Sequence, residues 1–198
     1  MHVAIVVFEG FDAMDAIGPF EVFGHAREEA DLEVGLYARG PGGVVSSHGL
    51  RVEPEGTLGE LGSRPDVLIV PGGGYNDRAE AGVRAQIKGP LSERVREYHA
   101  AGTLVASVCT GAMVLAAAGL TDGRPAVTHH GALADLRESG AAVREARVVD
   151  DGDLVTAGGI TAGIDLALHL LERLVGAGVA VSVADTMEYE RRGEVLID

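Results

Sequence analysis

The sequence predicts a single α/β domain, a three-layer sandwich around a mostly parallel central sheet. Three observations carry that expectation. Short apolar runs alternate with helix-patterned segments along the chain. The runs at Val3–Phe8, Asp66–Pro71 and Leu104–Val108 lack the polar alternation of a half-solvated strand, as expected for strands covered on both faces. Glycine-rich corners follow three strands directly, at Pro71–Gly74, around Cys109 and at Ala157–Gly159. The 198 residues suffice for one such domain with a substantial core. No repeat, low-complexity stretch or long linker divides them, so the domain is expected to span residues 1–198.

Val3–Phe8 reads as the first strand. Gly18-Pro19 fits the first turn of a helix, where proline is tolerated, with Phe20, Val22 and Phe23 on its apolar face. Glu28, Glu29 and Asp31 break the pattern before a second strand, Leu32–Ala38. Arg39–Gly43 is a turn, and Val44–Val52 a short hairpin or edge segment around His48-Gly49. Asp66–Pro71 is a buried strand running into Gly72–Gly74. Asn76 and Asp77 are expected to cap a helix through Ile87, and Leu91–Ala101 is a clearer helix ending at Gly102. The strand ending at Val108 leads through Cys109 into a small-residue helix that Gly119 terminates. Pro125–His129 reads as a short strand and Gly131–Ser139 as a short helix. Ala146–Val149 and Leu154–Thr156 form a strand pair joined by the turn Asp150–Asp153. A long apolar helix, Ala162–Leu174, a last helix over Val179–Arg191 and a short tail complete the chain.

Hydrophobic residues make up 46% of the chain, which excludes disorder. No apolar run reaches the length of a membrane span. The net charge of −14 argues against nucleic acid and anionic membrane surfaces as partners. Aromatic residues are 4%, with no tryptophan, so base-stacking platforms are not expected. The N-terminus lacks a basic n-region and a cleavage site, which makes a cytoplasmic location the expectation. One cysteine allows neither an intrachain disulfide nor a cysteine-cluster metal site.

Cys109 sits at the sharp turn between a buried strand and a helix, the geometry of a nucleophile elbow. Ser107 and Gly111 flank it at two residues' distance and let the helix start close to the strand end. The helix N-terminus is expected to favour a thiolate. Locally, a nucleophile and a buried apolar filler fit equally well. Ligands bind at the carboxyl ends of strands in open parallel sheets, and there the three corners and the loop carrying Asp15 should converge. That convergence selects the nucleophile.

Backbone N–H groups at Gly72, Gly73 and Gly74 are expected to form half of an oxyanion hole facing Cys109, with the N–H of Thr110 as the other half. Asp12 reads as a turn or capping residue. Asp15 reads as the site residue, a neutral carboxylic acid beside the sulfur with a raised pKa. Adjacent His129 and His130 do not share a strand face, so a metal pair is not expected, and His129 is the one chosen to reach the pocket. His169 and Glu172 read as a surface pair, and Met187–Tyr189 as helix packing.

The motifs Asp15–Phe23, Val70–Gly73, Ser107–Ala112, Thr128–His130 and Thr156–Asp165, in this order and spacing, resemble the ThiJ/PfpI superfamily of the class I glutamine amidotransferase-like fold. The resemblance covers essentially the whole chain and implies a flavodoxin-like sandwich. Within it, the chain is similar to the isonitrile hydratase branch and to the sensor domains of certain AraC-type regulators. The chain ends at Asp198 and is acidic, so a DNA-binding half is not expected. The resemblance implies Cys109 as nucleophile, Asp15 as its acidic partner, Thr110 beside the pocket and the backbone of Gly73 as oxyanion donor. His130 stands where the isonitrile hydratase pattern has an aromatic residue. No His-x-Glu pair follows Ala157, which disfavours glutamine hydrolysis, and Thr110 in place of an elbow histidine disfavours proteolysis. The implied activity is a lyase that hydrates an isonitrile to an N-substituted formamide without cofactor or metal. Glyoxalase-type action on methylglyoxal with help from His129, and a non-catalytic cysteine oxidation sensor or ligand-binding domain, are the alternatives. The superfamily implies a homodimer acting on a small molecule, with the phenylalanine-rich Gly18–Phe23 segment as a plausible part of the interface.

Overall fold

The valine-rich opening run forms β1 (His2–Val7), from which the computed structural model, describing residues 1–61 and 64–198, builds its central sheet. Helix α1 (Ala13–Ala26) follows, and then β2 (Glu33–Ala38). The hairpin around His48-Gly49 pairs β3 (Val44–Val45) with β4 (Arg51–Val52), and β5 (Gly56–Thr57) adds a short edge. The buried β6 (Val67–Val70) precedes α2 (Val83–Ile87) and α3 (Leu91–Ala100). Next come β7 (Leu104–Val108) and, after a single 3₁₀ turn over Cys109–Gly111, α4 (Ala112–Ala117). A small parallel pair of β8 (Pro125–Ala126) and β9 (Ala142–Val143) encloses α5 (Leu133–Glu138) in sequence. The chain closes with β10 (Val148–Asp151), β11 (Leu154–Ala157), α6 (Ala162–Leu174), α7 (Ala177–Thr186) and β12 (Val195–Ile197).

The main sheet has eight strands in the order β12-β10-β11-β7-β6-β1-β2-β5, parallel throughout except for the antiparallel β10–β11 pair. Helices α1, α6 and α7 pack together on one face, and α2, α3 and α4 pack together on the other. β1, β6 and β7 are buried almost end to end, as their unbroken apolar runs require. Among the described residues, no helix is long and apolar enough to cross a membrane.

Several boundaries differ from the sequence reading, each for a local physical reason. Helix α1 begins at Ala13, not at Gly18-Pro19, because Asp12 caps it: Asp12 Oδ1 accepts the Met14 N–H at 3.0 Å. Pro19 thus lies inside the helix. It does so where α1 crosses α6, and a Cβ on Gly163 would come within 3.2 Å of the Pro19 ring. The Gly18–Phe23 segment, expected at an interface, is largely used inside the chain. Phe23 is fully buried, and Gly18 packs toward Ile164 of α6.

The helix expected from Asn76 to Ile87 is helical only over Val83–Ile87, since Gly82 at φ +91° breaks it. The last helix stops at Thr186. Glu188 adopts φ +49° and the Tyr189 N–H returns to the Ala184 carbonyl at 2.9 Å, a Schellman ending without its usual glycine. The tail contributes β12, paired in parallel with β10.

The tightest constraint lies at the strand-to-helix corner after β7. A Cβ on Gly111 would fall 2.1 Å from the Val70 carbonyl oxygen. Gly111→Ala is therefore expected to destabilise the fold by about 2–4 kcal/mol in urea unfolding, because backbone must move. A loss below about 0.5 kcal/mol would show that the corner is not rigid.

Candidate active site

The loops after β1, β6, β7 and β11 meet at one edge of the sheet. There β7 ends and Cys109 turns the chain with φ +57°, a left-handed conformation that non-glycine residues rarely adopt. Two hydrogen bonds hold it. The Cys109 N–H donates to the Gly158 carbonyl at 2.8 Å, and the Thr128 hydroxyl donates to the Cys109 carbonyl at 2.9 Å. The sulfur is thereby lifted out of the strand direction, as a nucleophile elbow demands.

Asp15, in the first turn of α1, is completely buried. Its Oδ2 accepts the Gly72 N–H at 2.8 Å, while Oδ1 has no nitrogen or oxygen partner. The Cys109 thiol lies beside it and favours its ionised form. Burial, and then the charge of Asp12, push its pKa up to about 8, against the pull of Gly72 and the thiol. Asp15 is therefore a neutral acid at neutral pH, in line with the sequence reading.

The thiol differs from that reading. Cys109 is only 6% exposed, and burial followed by the charge of Asp15 pushes its pKa up to about 12. Hydrogen bonds from the backbone N–H groups of Ile160 and Thr110 pull the other way and do not win. The expected helix-end activation fails because desolvation exceeds it. Only a 3₁₀ turn and the short α4 follow the sulfur.

The glycine corner is required, but for a different purpose from the one expected. A Cβ on Gly72 would lie 2.6 Å from Thr110 Oγ1, 2.7 Å from Thr110 N and 2.9 Å from Asp15 Oδ2. Gly73 takes φ +129°, and its N–H donates to Thr110 Oγ1 at 3.2 Å. Gly72 and Gly73 are thus already bonded, and the expectation of Gly73 as a free oxyanion donor is corrected. The donors at the sulfur are Thr110 and Ile160. Sequence reasoning missed Ile160. Its φ of +47° is unusual for a β-branched residue, and nothing in Gly159-Ile160-Thr161 signals it.

The cavity over Cys109 measures about 310 Å³. Asp12, Gly73, Gly74, Tyr75, Asn76, Asp77, Thr110, His129 and Ile160 line it, together with Ser47 and His48 from the hairpin. His129 Nδ1 accepts the Gly131 N–H at 3.0 Å and lies 3.1 Å from Asn76 Nδ2. A backbone N–H can only donate, so Nδ1 carries a lone pair and Nε2 the proton. Burial, and then the neighbouring His130, lower the pKa of His129. His130 is exposed and stacks on His129 at 4.1 Å outside the cavity lining.

His169 and Glu172 are not the surface pair expected. His169 is buried and meets Asp150 at 2.6 Å, and Glu172 is paired with Arg191. Tyr189, expected only to pack, donates its hydroxyl to the buried Asp165 at 3.0 Å. Among the described residues, no group of three His, Cys, Asp or Glu side chains is placed to hold a metal ion.

The model of the DJ-1/PfpI family matches residues 1–173. Over 195 residues the chain is 38% identical to the isonitrile hydratase of Pseudomonas putida, covering 96% of this chain and 78% of the relative. It is 32% identical over 184 residues to the HTH-type transcriptional regulator CdhR of Pseudomonas aeruginosa, covering 91% of this chain but 52% of the regulator. A ThiJ/PfpI family protein from Pseudomonas syringae superposes with a TM-score of 0.86 at 30% identity, over 96% of this chain and 76% of the other.

The buried acid has a thermodynamic signature. Asp15 has a folded pKa of about 8 against an ordinary 3.8, so the folded state holds its proton more tightly. Its contribution to stability is full below the ordinary value and is lost progressively as pH rises through about 8. The slope is about 1.4 kcal/mol per pH unit. Asp15→Asn is expected to flatten this dependence and to be more stable than the parent at pH 8, by at least about 2 kcal/mol in chemical denaturation. A less stable variant at that pH would contradict a buried neutral acid.

Proposed function

We infer the following chemistry for this chain, which belongs to the DJ-1/PfpI family: Cys109 and Asp15 together add water to an isonitrile, giving an N-substituted formamide. The observation that carries the reading is the buried pair itself, a thiol beside a carboxylic acid that keeps its proton at neutral pH. The likeness to an isonitrile hydratase at 38% identity supports it.

The terminal carbon of an isonitrile accepts a nucleophile and a proton on the same atom. Asp15 gives its proton to that carbon, the Cys109 sulfur bonds to it, and the thiol proton passes to the Asp15 carboxylate. The product is a thioimidate, R–N=CH–S–Cys, formed without leaving net charge in a desolvated site. Water then adds across the C=N bond, its oxygen to carbon and a proton to nitrogen. The tetrahedral adduct collapses to the formamide, and its hydroxyl proton returns to the departing sulfur. The N–H groups of Thr110 and Ile160 hold charge that develops on sulfur during both bond changes. These steps call on no cofactor.

The site favours this reading over oxoaldehyde chemistry and over an oxidation sensor. Action on an oxoaldehyde would ask His129 to accept a proton, but its Nδ1 is occupied by Gly131 and its Nε2 already bears one. An oxidation sensor needs a readily ionised thiol, and Cys109 is pushed the other way.

Cys109→Ala is expected to abolish formamide production, and Asp15→Asn to lower kcat/KM by about 10²-fold or more. In the parent, kcat/KM should be level to pH 7 and fall tenfold per pH unit once Asp15 loses its proton above about 8. Turnover retained by Cys109→Ala, or a rate that climbs with pH through 9, would overturn the mechanism.

A further inference from the structure

The wall of the cavity over Cys109 carries charge of one sign. Asp12 and Asp77 supply two carboxylates, and neither lysine nor arginine lines it. The groups beneath and beside the sulfur add no compensating positive charge. Asp15 keeps its proton, and burial, the neighbouring His130 and the Gly131 N–H donated to Nδ1 all disfavour a second proton on His129.

Asp12 is held in place from both sides. Its backbone N–H donates to the Gly72 carbonyl at 2.8 Å, and its Oδ1 caps α1 through the Met14 N–H. Among the described residues, the hydrogen bond to the Asp12 side chain falls on Oδ1, from the Met14 N–H, and none falls on Oδ2. The charge of Asp12 acts on Asp15, Cys109 and His129 alike, which places it within electrostatic reach of the reacting atoms. The whole chain adds a background of −14, which draws cations toward the surface and repels anions.

We propose that this site selects a cationic substrate, an isonitrile bearing a protonated amine whose ammonium group lies against Asp12 and Asp77 while its terminal carbon meets Cys109. The proposal rests on the isonitrile reading of the site and names the substrate class within it. A charge-assisted hydrogen bond from the ammonium to the free Asp12 oxygen fixes which end of the molecule enters. An anionic isonitrile meets two like charges and no donor of opposite sign. The cavity of about 310 Å³ is at the small end for ligand sites, which fits a short aminoalkyl chain.

The test compares kcat/KM at pH 7 for an isonitrile with a dimethylaminoalkyl chain, its neutral branched-alkyl isostere and isocyanoacetate. The cationic compound should exceed the neutral one by about fivefold or more, with isocyanoacetate slowest. Added salt should shrink the preference. Asp12→Asn, which preserves the helix cap, should remove most of it. A neutral or anionic substrate turned over as well as the cationic one would overturn the proposal and leave the hydratase reading standing.

Turnover of none of the three would overturn the hydratase reading instead. Charge selection is then read from the sole cysteine with trimethylammonioethyl and sulfonatoethyl methanethiosulfonates. Each reagent forms a mixed disulfide with Cys109 and releases methanesulfinate. The cationic-to-anionic rate ratio should exceed that of free cysteine by about fivefold and fall in Asp12→Asn. A ratio equal to that of free cysteine would overturn the proposal.

Discussion

One hydrogen bond joins the parts of this molecule that must cooperate: the Gly72 N–H donating to the buried Asp15 carboxyl. It ties the first turn of α1 to the corner after β6, where the Asp15 side chain has no exposed surface. Because the carboxyl is desolvated there, it keeps its proton, and because Gly72 has no side chain, Thr110 can close against it. The early start of α1 at Ala13, its crossing of α6 at Gly18 and Gly163, and the bare Gly72–Gly73 backbone all serve that placement.

The remainder of the site is built by the strand order. The β6, β7 and β11 neighbours bring the elbow and the Gly158 corner side by side, so that the Gly158 carbonyl can receive the Cys109 N–H. Ile160 follows directly and turns its N–H toward the sulfur. The start of α6 beyond it is braced by Asp165, which accepts from Arg147 at 2.8 Å and from the Arg192 N–H at 3.0 Å, as well as from Tyr189. A segment near the C-terminus thus bears, through Asp165, on the element that carries one of the two sulfur donors.

Much of this was legible in the residues. The apolar runs gave the buried strands because strands covered on both faces need no alternation. The bounds of α6 and the turn between β10 and β11 were read directly from periodicity and from the Asp-Gly step. Cys109, Asp15 and the glycine corner were legible because a sharp turn against another backbone leaves room only for small residues, and that requirement is written in the sequence. Asp12 was read correctly as a cap, but not as part of a cavity wall. Ile160 and Glu188 were not legible, since each takes a left-handed conformation that its own side chain disfavours and that only tertiary contacts impose. The protonation of Cys109 was misread for a related reason. A helix end is visible in sequence, whereas the loss of solvent around a sulfur atom is not.

The paired protons on Cys109 and Asp15 act as a chemical filter. An electrophile that only withdraws electrons from sulfur, without taking up a proton where it is attacked, would leave a carboxylic acid beside a thiol with nowhere to send its hydrogen. Such a molecule reacts with the thiol more slowly even if it fits the cavity. A molecule that receives a hydrogen and a sulfur on one carbon meets both groups in their resting forms. Discrimination of that kind depends on the number of hydrogens exchanged rather than on shape.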